Sequence, residues 1–508
     1  MSTCLTFEGV KVLNKDTVFV RCLDKKTRQQ VYSNVHAVLI ITNDIKKKVA
    51  KLAGKTKPPS IFFIGIDSVS RLNIKRMMPK TLNFLASKSW IEYKGYNKVA
   101  DNTFPNVMAV LTGRNLSSVM KNCSPYNVGS LDACNFIWKD FQKLGYITAY
   151  AEDEVSISTF NYLKKGFKGS PTDFYFRPYM LAAEKLEIKL LDGMAYCTGP
   201  VSSADRILNL VTDLSETFMT HPIFGFFWMN TFTHEDINDL KHLDGRFRDF
   251  FRIVSKRPNT IVVFLSDHGI RFGDIRLTRS GWLEERLPFL YIGLPPEFRH
   301  KFPSEAKYLE TNANKLTCPY DIHNTLHHII TLYDNSYLPN FSEACANCRS
   351  LFADIEQERS CSDAGVHIHW CTCIGYTYLD PNSKLAFDSG QFIVNDLNSR
   401  LASDVVTKDK CVPFTLDEVL STTVSIDAER YNKLYVVIII KTVPKAIVEA
   451  TITAHIENST KWFENEGHEY SRLDKYGENS ECVTTRKVFC YCHGWFSISR
   501  IAKHWLHF

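Results

Sequence analysis

No stretch of this chain approaches the eighteen or so consecutive apolar residues that a membrane-crossing helix needs, so no such helix is expected within it. Met1 to Asp16 lacks the basic stretch followed by an apolar core that marks a secretory leader. No run of basic residues is interleaved with aromatics, and a formal net charge of +6 over 508 residues is small, so nucleic-acid duplex binding has no support. There is neither an internal repeat nor a low-complexity tract, which argues against a solenoid. The densest basic stretch, Lys46-Lys47-Lys48 with Lys51 and Lys55, precedes Pro58-Pro59 and reads as a solvated lead-in segment. The length exceeds what a single hydrophobic core supports, so one large domain and a smaller companion are expected.

What is present begins with two apolar runs. Ser60 to Ile66 ends in Asp67-Ser68, and Thr260 to Ser266 ends in Asp267-His268-Gly269. Both read as strands buried on two faces, the pattern of a parallel sheet covered by helices. Ligands gather outside the carboxyl ends of such strands, which predicts Asp67, Asp267 and His268 on one edge of one sheet. Carboxylates with an imidazole suit zinc or manganese.

Between these strands lies Asp101-Asn102-Thr103-Phe104-Pro105-Asn106, closing with Leu111-Thr112-Gly113. Pro105 suits a first helical position and Gly113 one just past the end, so Thr103 is predicted beside the unpaired amides and positive dipole end of a short helix. Anions are favoured there. An isolated Thr-x-Pro is most often only a helix cap; three residues of metal-ligating type, two carboxylates and an imidazole, make Thr103 a candidate metal-activated nucleophile.

Gly65-Ile66-Asp67, Thr103 to Asn106 with Leu111-Thr112-Gly113, and Ser266-Asp267-His268-Gly269 resemble the metal and nucleophile motifs of the alkaline phosphatase superfamily, which includes phosphodiesterases, sulfatases and phosphoglycerol transferases. The nearer resemblance is to an animal branch, the domain of unknown function 229 family. It is carried by Asp67 to Arg71, Met78 to Thr81, Gly145-Tyr146, Glu152-Asp153, Pro171 to Asp173, Thr233 to Asp236, and Arg359 to Cys361 through His369 to Cys371. It runs from about residue 15 to about residue 495. The resemblance implies an α/β fold with a mostly parallel central sheet sandwiched by helices. It also implies a metal site made by Asp67, Thr103, Asp267 and His268, with Thr103 as nucleophile and zinc as the expected ion, manganese or calcium being the alternatives. Whether one ion or two are held stays open. The phosphodiesterase branch builds a second site on Asp-x-x-x-His, and the nearest stretch here, Asn230 to His234, has an amide in place of the carboxylate. His234 is then a candidate substrate contact instead, as in the phosphoglycerol transferase branch. Glu235, Asp236 and Asp239 are nearby carboxylates that read as a solvated loop, and His323 is a further candidate ligand.

Sulfatases oxidise a cysteine or serine in Cys/Ser-x-Pro-Ser-Arg to a formylglycine. Threonine cannot give that aldehyde, and Asn106-Val107 stands where Ser-Arg would be. A phosphate ester, and a diester before a monoester, is therefore the expected substrate, with Asn106 as a donor to a non-bridging oxygen. Lipid, glycan and nucleotide esters are all compatible. Phe104, Trp228, Phe232 and Trp282 are candidate pocket or core aromatics, and Arg71, Arg271 and Arg276 are candidate anion contacts or surface ion pairs. The expected reaction is in-line displacement by Thr103 through a phosphothreonine, released to water or to an acceptor alcohol. A sulfatase is one alternative, and a catalytically silent extracellular binding domain, with Asn230 as a lost ligand, is the other. The oligomeric state is not legible.

Fifteen cysteines are present, nine of them beyond residue 340. Cys345-x-x-Cys348 and Cys490-x-Cys492-His493 fit no standard zinc finger, and Asn115, Asn340 and Asn458 each head a glycan acceptor triplet. Disulfides in an extracellular or lumenal setting are expected. That expectation and the missing leader are reconciled if a secreted or membrane-anchored parent carries a first coding segment that this sequence lacks. The organisation expected is a lead-in with short strands, Thr17 to Cys22 and Val35 to Thr42, over 1–57; an α/β catalytic domain over 58–340, with helices at Thr81 to Ser87, Ser203 to Leu214 and Asp321 to Leu332; and a Cys-rich, β-rich unit over 341–508 with strands at Tyr435 to Ile440 and Ala446 to Ile456.

Overall fold

The computed structural model describes residues 5–52, 57–426, 433–457, 460–465, 467, 469–483 and 489–493. The chain divides into two compact units, one of residues 1–96, 102–268 and 288–359, the other of residues 97–101, 269–287 and 360–508.

The first unit is built on a seven-stranded sheet ordered Ile91–Glu92, Leu290–Gly293, Thr260–Leu265, Ser60–Ile66, Ile223–Met229, Ile147–Glu152, Phe174–Tyr175. The Ser60, Thr260, Ile223, Ile147 and Phe174 strands run parallel, and the Leu290 strand pairs antiparallel with those on either side. Every residue of Ser60–Ile66 is buried, because successive side chains serve different cores. Ile61 and Phe63 pack with the helices Thr103–Thr112, Ile137–Lys143 and Pro319–Thr331; Phe62, Ile64 and Ile66 pack with Pro79–Ser87, Ser203–Thr217 and Asp244–Val254. Helices thus cover both faces, as the unbroken apolar runs require.

Two sequence-based placements need correction. The second strand of the N-terminal hairpin is Gln30–Ala37, not Val35 to Thr42. Antiparallel register pairs Thr17 with Ala37 and ends the hairpin there, and Thr42 then caps the helix Asn43–Lys51. That helix carries Lys46, Lys47, Lys48 and Lys51, so the basic stretch is helical, although mostly exposed as expected; Lys55 lies outside the described residues.

The second unit contains an antiparallel sheet of Thr415–Ile426, Lys433–Val443, Ile447–Glu457 and shorter strands, with the helix Lys384–Ser403 against it. Disulfides join Cys361 to Cys371, Cys411 to Cys490 and Cys482 to Cys492 here, and Cys123 to Cys134 and Cys345 to Cys348 in the first unit. No helix among the described residues is long and apolar enough to cross a membrane. Asn115 and Asn340 are exposed, whereas Asn458 lies outside the described residues.

Candidate active site

Asp67 and Asp267 follow the carboxyl ends of two adjacent parallel strands, in which Gly65 pairs with Leu265. The close packing beneath them depends on Gly65, where a Cβ would lie 1.9 Å from the Trp228 ring of the neighbouring strand. Immediately after Asp67 the chain turns sharply. Ser68 has φ of 61°, a left-handed conformation that costs a β-carbon-bearing residue roughly 1 kcal/mol. The turn aims the Ser68 amide at Asp267 Oδ1, 3.3 Å away, and the Val69 amide at Ser266 Oγ, 2.9 Å away. Asp267 and the Ser266 hydroxyl beside it are thereby held from behind.

Thr103 is the first residue of the helix Thr103–Thr112, with Asn102 as N-cap. Pro105 is accordingly the third helical residue, not the first as its spacing suggests. It is tolerated because amides of the first turn have no intrahelical acceptor to lose. Gly113 ends the helix at φ 65°, as expected.

Four groups converge at the sheet edge. The Thr103 hydroxyl donates to Asp67 Oδ1 at 3.1 Å and lies 3.4 Å from His268 Nε2. His268 Nε2 is 3.1 Å from Asp267 Oδ2 and 3.7 Å from Asp67 Oδ1. Asp67, Asp267 and His268 are all buried. Burial and the neighbouring Asp67 charge push the Asp267 carboxyl up to about 6, against the pull of His268. The ligand atoms of Asp67, Asp267 and His268 all lie within 4.8 Å of one another, and a bound cation would relieve the repulsion between the two carboxylates. Four donors at 2.0–2.2 Å from one ion in tetrahedral arrangement lie about 3.3 Å apart, which the 3.1–3.7 Å separations match. Asp267 Oδ2 is buried and has His268 Nε2 3.1 Å away but no well-aligned hydrogen bond, so an ion would satisfy it. The residues therefore fit a divalent metal.

The remaining candidates lie around this cluster or apart from it. Asn106 is buried and its amide donates to the Asn102 carbonyl at 2.9 Å. Asn230, just past the strand beside that of Asp67, donates from Nδ2 to Glu152 Oε2 at 3.2 Å. His234 Nδ1 pairs with Glu235 at 2.7 Å in a half-buried loop. His323 is not gathered with the cluster; its Nδ1 donates to the Val110 carbonyl near the other end of the Thr103 helix. Phe104, Trp228 and Phe232 belong to the core, and Trp282 packs edge-on against Tyr376 in the second unit. Arg71 pairs with Glu92, Arg271 with Asp101, and Arg276 with Glu449. The Arg276 pair is fully buried in the second unit, which corrects its reading as a surface ion pair.

Two further charged residues outside the sequence-predicted set touch elements that carry it. Asp153 accepts from the backbone amide of Asn230 at 2.7 Å, and burial pushes its carboxyl up to about 7. It holds the start of the Asn230 to His234 loop. Lys164 Nζ stands 4.6 Å from the Phe104 ring centroid, a cation beside the nucleophile's neighbour, and burial lowers its ammonium to about 8 against the attraction of Glu152. The Glu152-Asp153 pair is visible as a motif, but Lys164 sits in a loop with no sequence signal.

Residues 7–420 match the family model described as "Protein of unknown function (DUF229)". No curated protein matches the chain. Among solved structures, the chain is similar to a protein in the alkaline phosphatase superfamily from Vibrio parahaemolyticus, with 11% identity and a TM-score of 0.37 over 86% of each chain. It is similar to the lipoteichoic acid synthase LtaP from Listeria monocytogenes, with 8% identity and a TM-score of 0.38, covering 77% of this chain and 86% of that one. It is also similar to the PsFucS1 sulfatase from Pseudoalteromonas sp., with 13% identity and a TM-score of 0.37, covering 84% and 88%.

Proposed function

The chain belongs to the DUF229 family, and we propose that it is a metal-dependent hydrolase or transferase of phosphate esters, diesters foremost, with Thr103 as nucleophile. The observation that carries this reading is the convergence of the Thr103 hydroxyl with Asp67, Asp267 and His268 at the first turn of a helix.

Asp67, Asp267 and His268 would hold one divalent ion, zinc by its donor set, which supplies Lewis-acid polarisation of a phosphate oxygen and eases deprotonation of the hydroxyl. Thr103 Oγ1 gives up its proton to Asp67 Oδ1, the acceptor of its hydrogen bond, and forms a bond to phosphorus as the bond to the ester's leaving oxygen breaks in line, that oxygen taking up a proton as it departs. A phosphothreonine results, and attack by water or an acceptor alcohol on the same phosphorus breaks the Oγ1–P bond. The amides of the helix start favour the charge that gathers on the non-bridging oxygens. Asn230, committed to Glu152, supports a one-ion site rather than two. Threonine in place of cysteine or serine disfavours a sulfatase.

The test is turnover of aryl phosphodiester, phosphomonoester and sulfate ester by the full chain with Zn2+ or Mn2+. Diester turnover should fall at least about a thousandfold in Thr103→Ala and far less in Thr103→Ser. Turnover that survives in Thr103→Ala sinks the mechanism. Absence of turnover in folded, metal-loaded wild type sinks the hydrolase arm and leaves transfer to a specific acceptor.

A further inference from the structure

The proposed reaction leaves a pair of buried histidines unused. His323 and His327 stand at i and i+4 on the helix Pro319–Thr331, so their side chains share one face. Their Nε2 atoms are 3.1 Å apart. Each ring is anchored through its other nitrogen. His323 Nδ1–H donates to the Val110 carbonyl at 3.0 Å. His327 Nδ1–H donates to the Tyr337 hydroxyl, which in turn donates to Asp140 Oδ2 at 3.1 Å. A carbonyl accepts only, and a tyrosine that gives its one proton to a carboxylate must accept from the histidine. Both Nε2 atoms then present lone pairs to each other. The Asn340 carbonyl oxygen, 3.3 Å from His323 Nε2, adds a third acceptor to the same spot.

With both Nδ1 atoms as donors, the two Nε2 atoms face each other and the Asn340 carbonyl stands beside His323 Nε2, an arrangement that a cation would satisfy. A neutral network without a cation needs the Tyr337 proton turned to His327, which leaves the phenolic oxygen against a carboxylate oxygen at 3.1 Å. The arrangement matches what metal-bound histidines use, with Nε2 toward the ion and Nδ1–H held by a carbonyl or, through a relay, by a carboxylate. An ion at 2.0–2.1 Å from both nitrogens would subtend about 100° between them, close to the tetrahedral value.

We propose that His323 and His327, with the Asn340 carbonyl, form a metal site distinct from the Thr103 cluster, of the imidazole-binding class that includes Zn2+. Val110 lies seven residues beyond Thr103, roughly 10 Å along the helix, so this ion is structural. It ties the far end of the nucleophile helix to the Pro319–Thr331 helix and to Asn340.

The test counts metal in the full chain, stripped with a chelator, reloaded with Zn2+ and freed of excess by gel filtration. Wild type should retain two equivalents, Asp267→Asn one, and both His327→Gln and His327→Ala one. Retention of the same count in wild type and in folded His327 variants overturns the proposal. If Asp267→Asn loses nothing while the His327 variants lose one, this site stands and the metal at Thr103 falls. Tyr337→Phe, which removes the relay and keeps the fold's packing, should weaken uptake about 10- to 100-fold; unchanged affinity there, with Co2+ giving no histidine-dependent visible spectrum in wild type, also overturns it.

Discussion

At the scale of single residues the site is governed by burial of acids. Asp267 and Asp153 both sit in dry surroundings that penalise their charged forms, but they are relieved differently. Asp267 has His268 Nε2 3.1 Å from its Oδ2 and the Ser68 amide 3.3 Å from its Oδ1, whereas Asp153 accepts two backbone amides, from Asn230 at 2.7 Å and from Thr231 at 3.3 Å. Those bonds do not offset desolvation, and the nearby Glu154 charge adds to it, so its carboxyl lies at about 7 in the folded chain. The ordinary value is 3.8. The folded state therefore keeps a proton that the unfolded state releases, and stability falls as pH rises between those values, with the penalty complete above the upper one. Asp153→Asn removes the titration while retaining one acceptor for the Asn230 amide. Urea midpoints at pH 5 and pH 8 should differ less in the variant than in wild type. Parallel pH curves for the two proteins would refute the assignment.

At the scale of elements the nucleophile helix is the decisive part, and its two ends are built differently. The start is set by Asn102, whose carbonyl is held by Asn106, and exposes amides beside Thr103. The end is set by Gly113 at φ 65°, where a Cβ would come within 2.6 Å of the His323 ring. Gly113→Ala should therefore cost about 2 kcal/mol or more, from left-handed strain plus overpacking against His323. Chemical denaturation reads it directly, and a loss under about half that amount would mean that the ring yields. Much of this was legible in the chain. Uninterrupted apolar runs ending in acids betray parallel strands, because both faces of such a strand are buried and its carboxyl end is where function collects. Asp67, Asp267, His268 and Thr103 followed from that rule and from the resemblance. What was not legible depends on contacts distant in sequence. The hairpin register that ends at Ala37 is set by pairing with Thr17. Lys164 meets Phe104 from a loop without pattern. The converging Nε2 atoms of His323 and His327 depend on acceptors at Val110 and Tyr337, which no local spacing announces.

At the scale of the whole molecule, stability is divided between two compact units that use covalent links differently. The cysteine count predicted bridges without predicting partners, since pairing is decided by which strands and loops the fold brings within reach. In the second unit Cys411 and Cys490 are 79 residues apart, whereas Cys361 to Cys371 and Cys482 to Cys492 each span 10. In the chain-entropy account the long bridge removes about 4.5 kcal/mol worth of freedom from the unfolded chain and a short one about 2.7 kcal/mol. The long bridge also closes around the sheet strands Thr415–Ile426, Lys433–Val443 and Ile447–Glu457, whose apolar side chains share a core with both of its cysteines. Paired replacement, Cys411→Ser with Cys490→Ser, should therefore destabilise the second unit more than paired replacement of Cys361 and Cys371. The first unit's zinc uptake should be left within the error of the wild-type count, because none of its proposed ligands lies in residues 360–508. Limited proteolysis resolved by fragment mass reads both effects at once: early cuts confined to the strands between Cys411 and Cys490 are expected. Simultaneous cleavage in the Ser60 and Thr260 strands would show that the two units unfold together and that the division of stability is wrong.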